Sequence, residues 1–385
     1  MKQNFLYISP EFPVNFQNFV MELDKEGVNV LGVGHSDFNH MPEDLRRSMK
    51  WYINTNLDNY NDFSNAVSYM MNQTGIDRID CVESHNEHWL HLESMTNEKF
   101  DIDGVKSKKL SMWKRKSIMK HVFMKNNIPH AKGKLLKNRE EAFVLANQLG
   151  YPVILKPDIG VGAQGVYKIK NEKELKHILK NINNEPYILE EFLEGKLVSY
   201  DGLVNSNGKI IFENSFSYSS GVLDFVHGTD PACVITPNIP KKLSSIGTTL
   251  VEIFDIKKKF FHFEFFNHDG KYTPIEVNVR PPGGHILDMM NYSMDDNLYN
   301  AYAKMIAGKK VSLKKKKYYC GFVGRRDKNY KYSHEDIIQK FQDQLVSHFT
   351  PPKLYHEAMG KRIYVFRNTC KNRINELKNL LTETS

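Results

Sequence analysis

Short apolar runs at residues 4–9, 28–34 and 77–83 are separated by stretches of helical period such as 14–26. Strands that alternate with helices build parallel sheets, so residues 1–105 are expected to form an open α/β domain. Ligands of such sheets lie beyond the carboxyl ends of the strands, where Ser9, Gly34, His35 and Glu83 stand. The run Ser84-His85-Asn86-Glu87 reads as a capping box opening a surface helix that carries His85, His88 and His91. Residues 106–127, dense in Lys and Arg, read as helical. Strands prevail from 150 to 212, broken by a helix at 172–182 whose cap is Asn171, with Glu174 three residues on. Two β-prone segments flank "NHDGK" between 258 and 279, and 285–308 reads as helical. From about 311 the chain holds "KYYCGFVG", a helix capped at Ser333, "RIYVF" and a terminal helix.

Composition narrows the class. At 385 residues the chain is too long for one ordinary core, and two or three domains are expected. With 41% hydrophobic and 25% charged residues it has the make-up of a soluble globular protein. No stretch reaches the roughly 20 apolar residues of a bilayer span, so no membrane association is expected. The first residues lack the apolar core and cleavage site of a secretory signal, which points to the cytoplasm. Cys81, Cys233, Cys320 and Cys370 are scattered without a C-x-x-C, arguing against a disulfide framework and a thiolate zinc site. A net charge of +8 suits an anionic ligand. Without interleaved aromatic motifs, nucleic acid is not an expected partner.

The chemistry concentrates in three stretches. "VILKPDIGVGAQGVYKIK" contains G-x-G-x-x-G at Gly160, Gly162 and Gly165. A dinucleotide fingerprint requires a helix after the glycines, whereas alternating "VYKIK" follows; a Walker loop requires G-K-[ST], whereas Val166 follows Gly165. What remains is a turn between antiparallel strands. Its small residues can bring backbone N–H groups close to phosphate oxygens beside Lys156. A hairpin that simply needs flexible residues accounts for the glycines as well. In "YILEEFLEG", Glu190-Glu191-Phe192-Leu193 can pair with an adenine edge or form an ordinary amphipathic strand. In "FFHFEFFNHDGKYTPIEVNVRPPGG", alternation gathers Glu276, Asn278 and Arg280 on one strand face. Glu264 joins that face if the connecting loop is odd, for example His268–Gly270 with Gly270 in a left-handed bulge position. Two carboxylates and an amide oxygen suit Mg²⁺ bound jointly with phosphates, with Arg280 where charge builds on a transferring phosphoryl group.

Together "ILKPDIGVGAQGV", "ILEEFLEG", "FHFEF" and "IEVNVRPPGG" resemble the ATP-grasp superfamily over about residues 110–310, and within it the carboxylate–amine ligases, including amino-acid ligases with an R-x-G-G-x-H-I run, here Arg280–Ile286. The resemblance implies an α/β and α+β fold: an open parallel domain (1–105), linker helices and a small lobe with the glycine-rich loop (106–195), a large lobe with the metal site (196–310) and a small α+β appendage (311–385). It implies that Lys116 and Lys156 bind phosphates and that Gly160, Gly162, Ala163, Gln164 and Gly165 close over them. Glu190 and the backbone of Glu191, Phe192 and Leu193 would meet adenine. Glu264, Glu276 and Asn278 would hold two Mg²⁺, for which Mn²⁺ can substitute, while Arg280 and Lys156 act in catalysis. Gly283, Gly284 and His285 would face the acceptor substrate, covered by 217–240. Where the family often grips ribose with a glutamate, this chain has Leu197, with Asp201 as the nearest replacement. The implied reaction joins a small carboxylate to an amine through an acyl phosphate, with an amino acid as a candidate substrate and a second copy of the chain as a candidate partner. The alternatives are a non-amine acceptor or a non-catalytic nucleotide-binding regulator.

Overall fold

The structure is a computed structural model that describes residues 2–160, 165–219 and 228–385. The amino-terminal apolar runs become β1 (Asn4–Ile8), β2 (Asn29–Gly34), β3 (Trp51–Asn54) and β4 (Cys81–Glu83), a parallel sheet in the order β3-β2-β1-β4. Sequence patterning found three of these strands; β3 is only half-buried, and its apolar signal is correspondingly weak. The sheet buries Leu6, Ile8, Leu31 and Val33 on one face and Phe5, Tyr7 and Val30 on the other, as expected where helices cover both sides.

A second sheet holds β5 (Gly133–Leu135), β6 (Val153–Pro157), β7 (Tyr167–Ile169) and β8 (Tyr187–Glu191), in the order β5-β8-β6-β7 with antiparallel pairing throughout. The glycine-rich stretch therefore joins two antiparallel strands, β6 and β7. Asn171 caps the following helix, its side chain accepting from the Glu174 amide.

The third sheet has nine strands: β9 (Lys196–Val204), β10 (Ile210–Asn214), β11 (Phe216–Tyr218), β12 (Ala232–Ile235), β13 (Phe260–His268), β14 (Lys271–Asn278), β15 (Tyr319–Arg325), β16 (Leu345–Phe349) and β17 (Arg362–Asn368). Its main order is β14-β13-β9-β11-β12-β15-β17-β16, with β10 beside β9. The strands expected in the carboxy-terminal appendage extend the large sheet, where β15 pairs with β12. Behind β9, β13 and β14, one face packs Tyr200, Phe261, Phe263, Phe265, Val277 and Val279 against the helix Lys241–Ile253. That helix approaches so closely at Gly247 that a Cβ there would stand 2.1 Å from the Tyr200 ring. Among the described residues no helix is long and apolar enough to cross a membrane.

Candidate active site

The hairpin β13–β14 carries the carboxylates. Its loop is not the three-residue turn expected: His268 pairs with Lys271, leaving Asp269 and Gly270, with φ of 48° and 79°, as a two-residue turn. An even loop alone would set Glu264 opposite Ile275 and turn Glu276 toward the core. One extra residue corrects the parity, since Phe265 pairs with Pro274 but Glu264 with Glu276, making Ile275 a bulge. Pro274 is tolerated because β14 is an edge strand at that bulge. Glu264 and Glu276 consequently face one another directly, 19% and 15% exposed, with Asn278 opposite His262 on the same face.

This polar face continues onto β9. Asp201, opposite His262, accepts from His262 Nδ1 at 2.6 Å, Ser199 Oγ at 2.7 Å and Asn214 Nδ2 at 3.2 Å. Both carboxylate oxygens are so engaged, and the Asp201 side chain is buried. His262 Nε2 lies 3.3 Å from Glu264 Oε1. Burial opposes charge on His262, yet the hydrogen bonds to Asp201 and Glu264 push it up to about 9. Glu264 is lowered in turn, burial being outweighed by His262.

The cations arrive from the other elements. The helix Lys116–Lys125 starts against Asp158, just past β6: the Asp158 carbonyl accepts from the Lys116 amide at 2.9 Å and its Oδ1 from the Ser117 amide at 2.8 Å, serving the open helix N-terminus. Lys116 Nζ is thereby placed 2.7 Å from Glu276 Oε1 and 3.1 Å from the Gly160 carbonyl. One turn on, Lys120 stands 2.8 Å from Glu190 Oε1, while Lys156 is 2.9 Å from Glu190 Oε2. Burial opposes the Glu190 charge, but Lys156 and then Lys120 lower it below the ordinary carboxylate range.

Other expected site residues are distributed unevenly. The Glu191 carboxylate and amide are both bonded to Lys132 backbone, at 2.7 and 2.8 Å, so Glu191 is committed to the sheet. Phe192 and Leu193 lie in the crossing between β8 and β9, with Lys168 Nζ 3.6 Å from the Phe192 ring centre. Gly162, Ala163 and Gln164 lie outside the described residues, as does 220–227 of the covering segment. Gly165, φ 71°, is described at the end of the turn. Leu197 is buried opposite Phe266. His285 Nδ1 is 2.8 Å from Asp288 Oδ2, and Asn15 from the amino-terminal domain donates to the Gly284 carbonyl at 3.0 Å. Gly283 precedes them in the same segment. The carboxy-terminal region closes over it: the Phe349 ring is 4.2 Å from His285, and Met359 stands against Gly284.

The Ser84–Glu87 reading is corrected. Asn86, not Ser84, caps the helical turn, accepting from the His88 amide, and His85 lies outside it, 2% exposed and stacked 3.7 Å from the Phe19 ring. Glu87 instead reaches Arg280, Oε2 to Nε 3.2 Å, and Arg280 Nη1 donates to the Pro281 carbonyl. The following helix, Leu90–Lys99, is not a surface helix. Glu93 is 0% exposed and bonded to Lys259 Nζ at 2.7 Å.

Among the described residues no three His, Cys, Asp or Glu side chains converge as a complete metal cage. Glu264, Glu276 and Asn278 are a hard-oxygen set of the partial kind that Mg²⁺ takes when phosphates complete its shell. In that chemical sense the residues fit the ion.

These features define a protein in which one helix links the carboxylates of two antiparallel sheets, through Lys116 to Glu276 and through Lys120 to Glu190. The family model for the ATP-grasp domain matches residues 149–288. It is 24% identical over 191 residues to the carbamoyl phosphate synthase large chain of Agathobacter rectalis, and 25% over 158 residues to the arginine-specific large chain of Bacillus subtilis. Those matches cover 46% and 40% of this chain but only 17% and 15% of the relatives' lengths. Over its whole length the fold is similar to an L-amino acid ligase from Bacillus licheniformis, with TM-score 0.74, 14% identity and coverage of 98% and 97%. It is also similar to N5-carboxyaminoimidazole synthetase of Staphylococcus aureus complexed with ADP, with TM-score 0.73, 14% identity and coverage of 98% and 96%.

Proposed function

We propose that this protein is an ATP-dependent ligase that joins a carboxylate substrate to an amine, with an amino acid as one of the two. The observation that carries the reading is the pairing of Glu264 with Glu276 on one sheet face, beside Asn278 and within reach of Lys116. ATP would lie in the cleft, its base near Glu190 and the crossing at Phe192 and Leu193. Lys116 and Lys156 would receive its phosphates, and the loop spanning Gly160, Gly162, Ala163, Gln164 and Gly165 would cover them. Glu264, Glu276 and Asn278 would hold Mg²⁺, two ions in the fullest form of the proposal, with Mn²⁺ as substitute. Bound there, the metal would supply neutralisation of phosphoryl charge.

The chain's own groups do the rest. Arg280, held by Glu87, points its guanidinium at charge that develops as a substrate carboxylate oxygen attacks the γ phosphorus and ADP leaves. An amine then displaces phosphate from the acyl phosphate. The covering loop excludes water, which would otherwise hydrolyse that intermediate. Gly283, Gly284 and His285 would face the acceptor, with Asp288 fixing the imidazole. A cytoplasmic location accords with this chemistry.

The test is a phosphate-release screen across amino acids and their pairs, followed by product mass. ATP turnover is expected to depend on a carboxylate substrate, with a product equal in mass to acid plus amine less water. A product lacking the amine would point to another acceptor class. Replacing Glu276 by Gln is expected to reduce phosphate release by at least about a thousandfold, roughly 4 kcal/mol of lost transition-state stabilisation. Undiminished release removes Glu276 from the metal site.

A further inference from the structure

Both carboxylates of the β13–β14 face are already balanced by cations of the chain. His262 stands beside Glu264 and remains tied to Asp201. Glu276 is different, because its partner Lys116 also bonds the Gly160 carbonyl at the root of the glycine-rich turn. The Lys116 and Glu276 side chains are 11% and 15% exposed, so their attraction is screened far less than that of a surface pair. A divalent cation arriving alone must displace this ammonium from Glu276 and leave two positive groups side by side. A cation arriving with a nucleotide meets another balance, since phosphate oxygens offer the ammonium a new partner. The Lys116 backbone is held at Asp158, so the ammonium moves only by swinging its flexible stem between Glu276 and a phosphate.

Building on the nucleotide reading above, we propose that Lys116 gates the metal site: it occupies Glu276 until nucleotide phosphates draw it away. Metal and nucleotide then bind with positive coupling, and by linkage each raises the other's affinity by the same factor. Lys116 acts here as an internal substitute for the cation, a role separate from its contact with phosphate.

Free Mn²⁺, followed by its electron paramagnetic resonance signal, tests this on the full chain with and without ADP. The wild type is expected to bind Mn²⁺ at least about tenfold more tightly when ADP is present, equivalent to about 1.4 kcal/mol. Without ADP, Lys116→Met is expected to bind Mn²⁺ at least about tenfold more tightly than the wild type, and Lys116→Arg no more tightly. Lys116→Gln serves as a second neutral variant, with thermal melts reporting the fold of each. If neither neutral variant binds free Mn²⁺ more tightly than the wild type, while the wild type still binds Mn²⁺ with ADP, the gate is wrong and the nucleotide site stands. If the wild type binds no ADP at all, the nucleotide reading falls and the gate with it.

Discussion

Glu87 and Arg280 meet although 193 positions separate them, and the contact commits the guanidinium Nε to a carboxylate from the helical turn that follows β4. Both side chains are largely withdrawn from water, at 6% and 14% exposure, so the pair fixes direction as well as charge. Glu87→Gln keeps the size and removes the charge. It is expected to lower kcat for carboxylate-dependent phosphate release by about tenfold to a hundredfold, a loss of about 1–3 kcal/mol, with ADP affinity within about twofold. Unchanged kcat in steady-state assays would show that Arg280 keeps its aim unaided. Lys156, Glu264, Glu276, Asn278 and Arg280 were legible in the sequence because hard-ligand residue types sat on an alternating strand beside a glycine-rich turn. Glu87 was not: locally it has the form of a helix-capping partner, and only the third dimension supplies the arginine. Lys120 carried a weak signal, four residues after Lys116 on one helix face. Asp201 stood out only as a replacement for a ribose ligand and His262 not at all, since the pairing of a buried histidine with a carboxylate looks like any other strand polarity.

At the scale of one element, the β13–β14 hairpin shows where pattern reading reaches its end. Alternation predicted that Glu264 and Glu276 share a face, and the register bears this out. It did not locate the parity break, because an odd loop and a bulge give the same alternation beyond them. The two-residue turn moves the break to Ile275. Deleting Ile275 would let Glu276 take the vacated slot, still opposite Glu264, with Asn278 on the same face. The deletion is therefore expected to retain Mn²⁺ binding in the presence of ADP within about tenfold, or 1.4 kcal/mol. A larger loss, measured by the same resonance titration, would mean that the local bend of the bulge, rather than strand parity, sets the carboxylates. The helix Leu90–Lys99 marks the opposite limit. Its polar sequence predicts exposure, whereas Glu93, Ser94, Thr96 and Asn97 are buried: Glu93 pairs with Lys259 beside β13, and Asn97 donates to the Val105 carbonyl.

The pairing of Glu93 with Lys259 joins the amino-terminal sheet to the large lobe. Lys259, just before β13, lies 2.6 Å from Glu83 Oε2 at the end of β4 and 2.7 Å from Glu93 Oε2, all three side chains buried. Two carboxylates share one ammonium, so one of them holds a proton into the neutral range. Burial, then the Glu83 charge, pushes Glu93 up to about 8. Burial also opposes ionisation of Glu83, but Lys259 outweighs it and brings Glu83 down to about 2. The signs of the two differ. Between the ordinary value of 4.5 and about 8 the unfolded chain has lost the Glu93 proton that the folded chain keeps, so stability falls as pH rises through that window. Glu83 contributes in the other sense, its stabilisation lost only as pH falls below 4.5 toward 2. Glu93→Gln fixes the neutral form and is expected to flatten the decline between pH 5 and 8, gaining on the order of 1–2 kcal/mol at pH 8 relative to the wild type. Urea midpoints at the two pH values measure it, and parallel slopes in both proteins would rule out the shared proton. Lys259→Met removes the common cation and is expected to cost about 3–5 kcal/mol, more at pH 8 than at pH 5, because two uncompensated carboxylates remain buried where the domains meet.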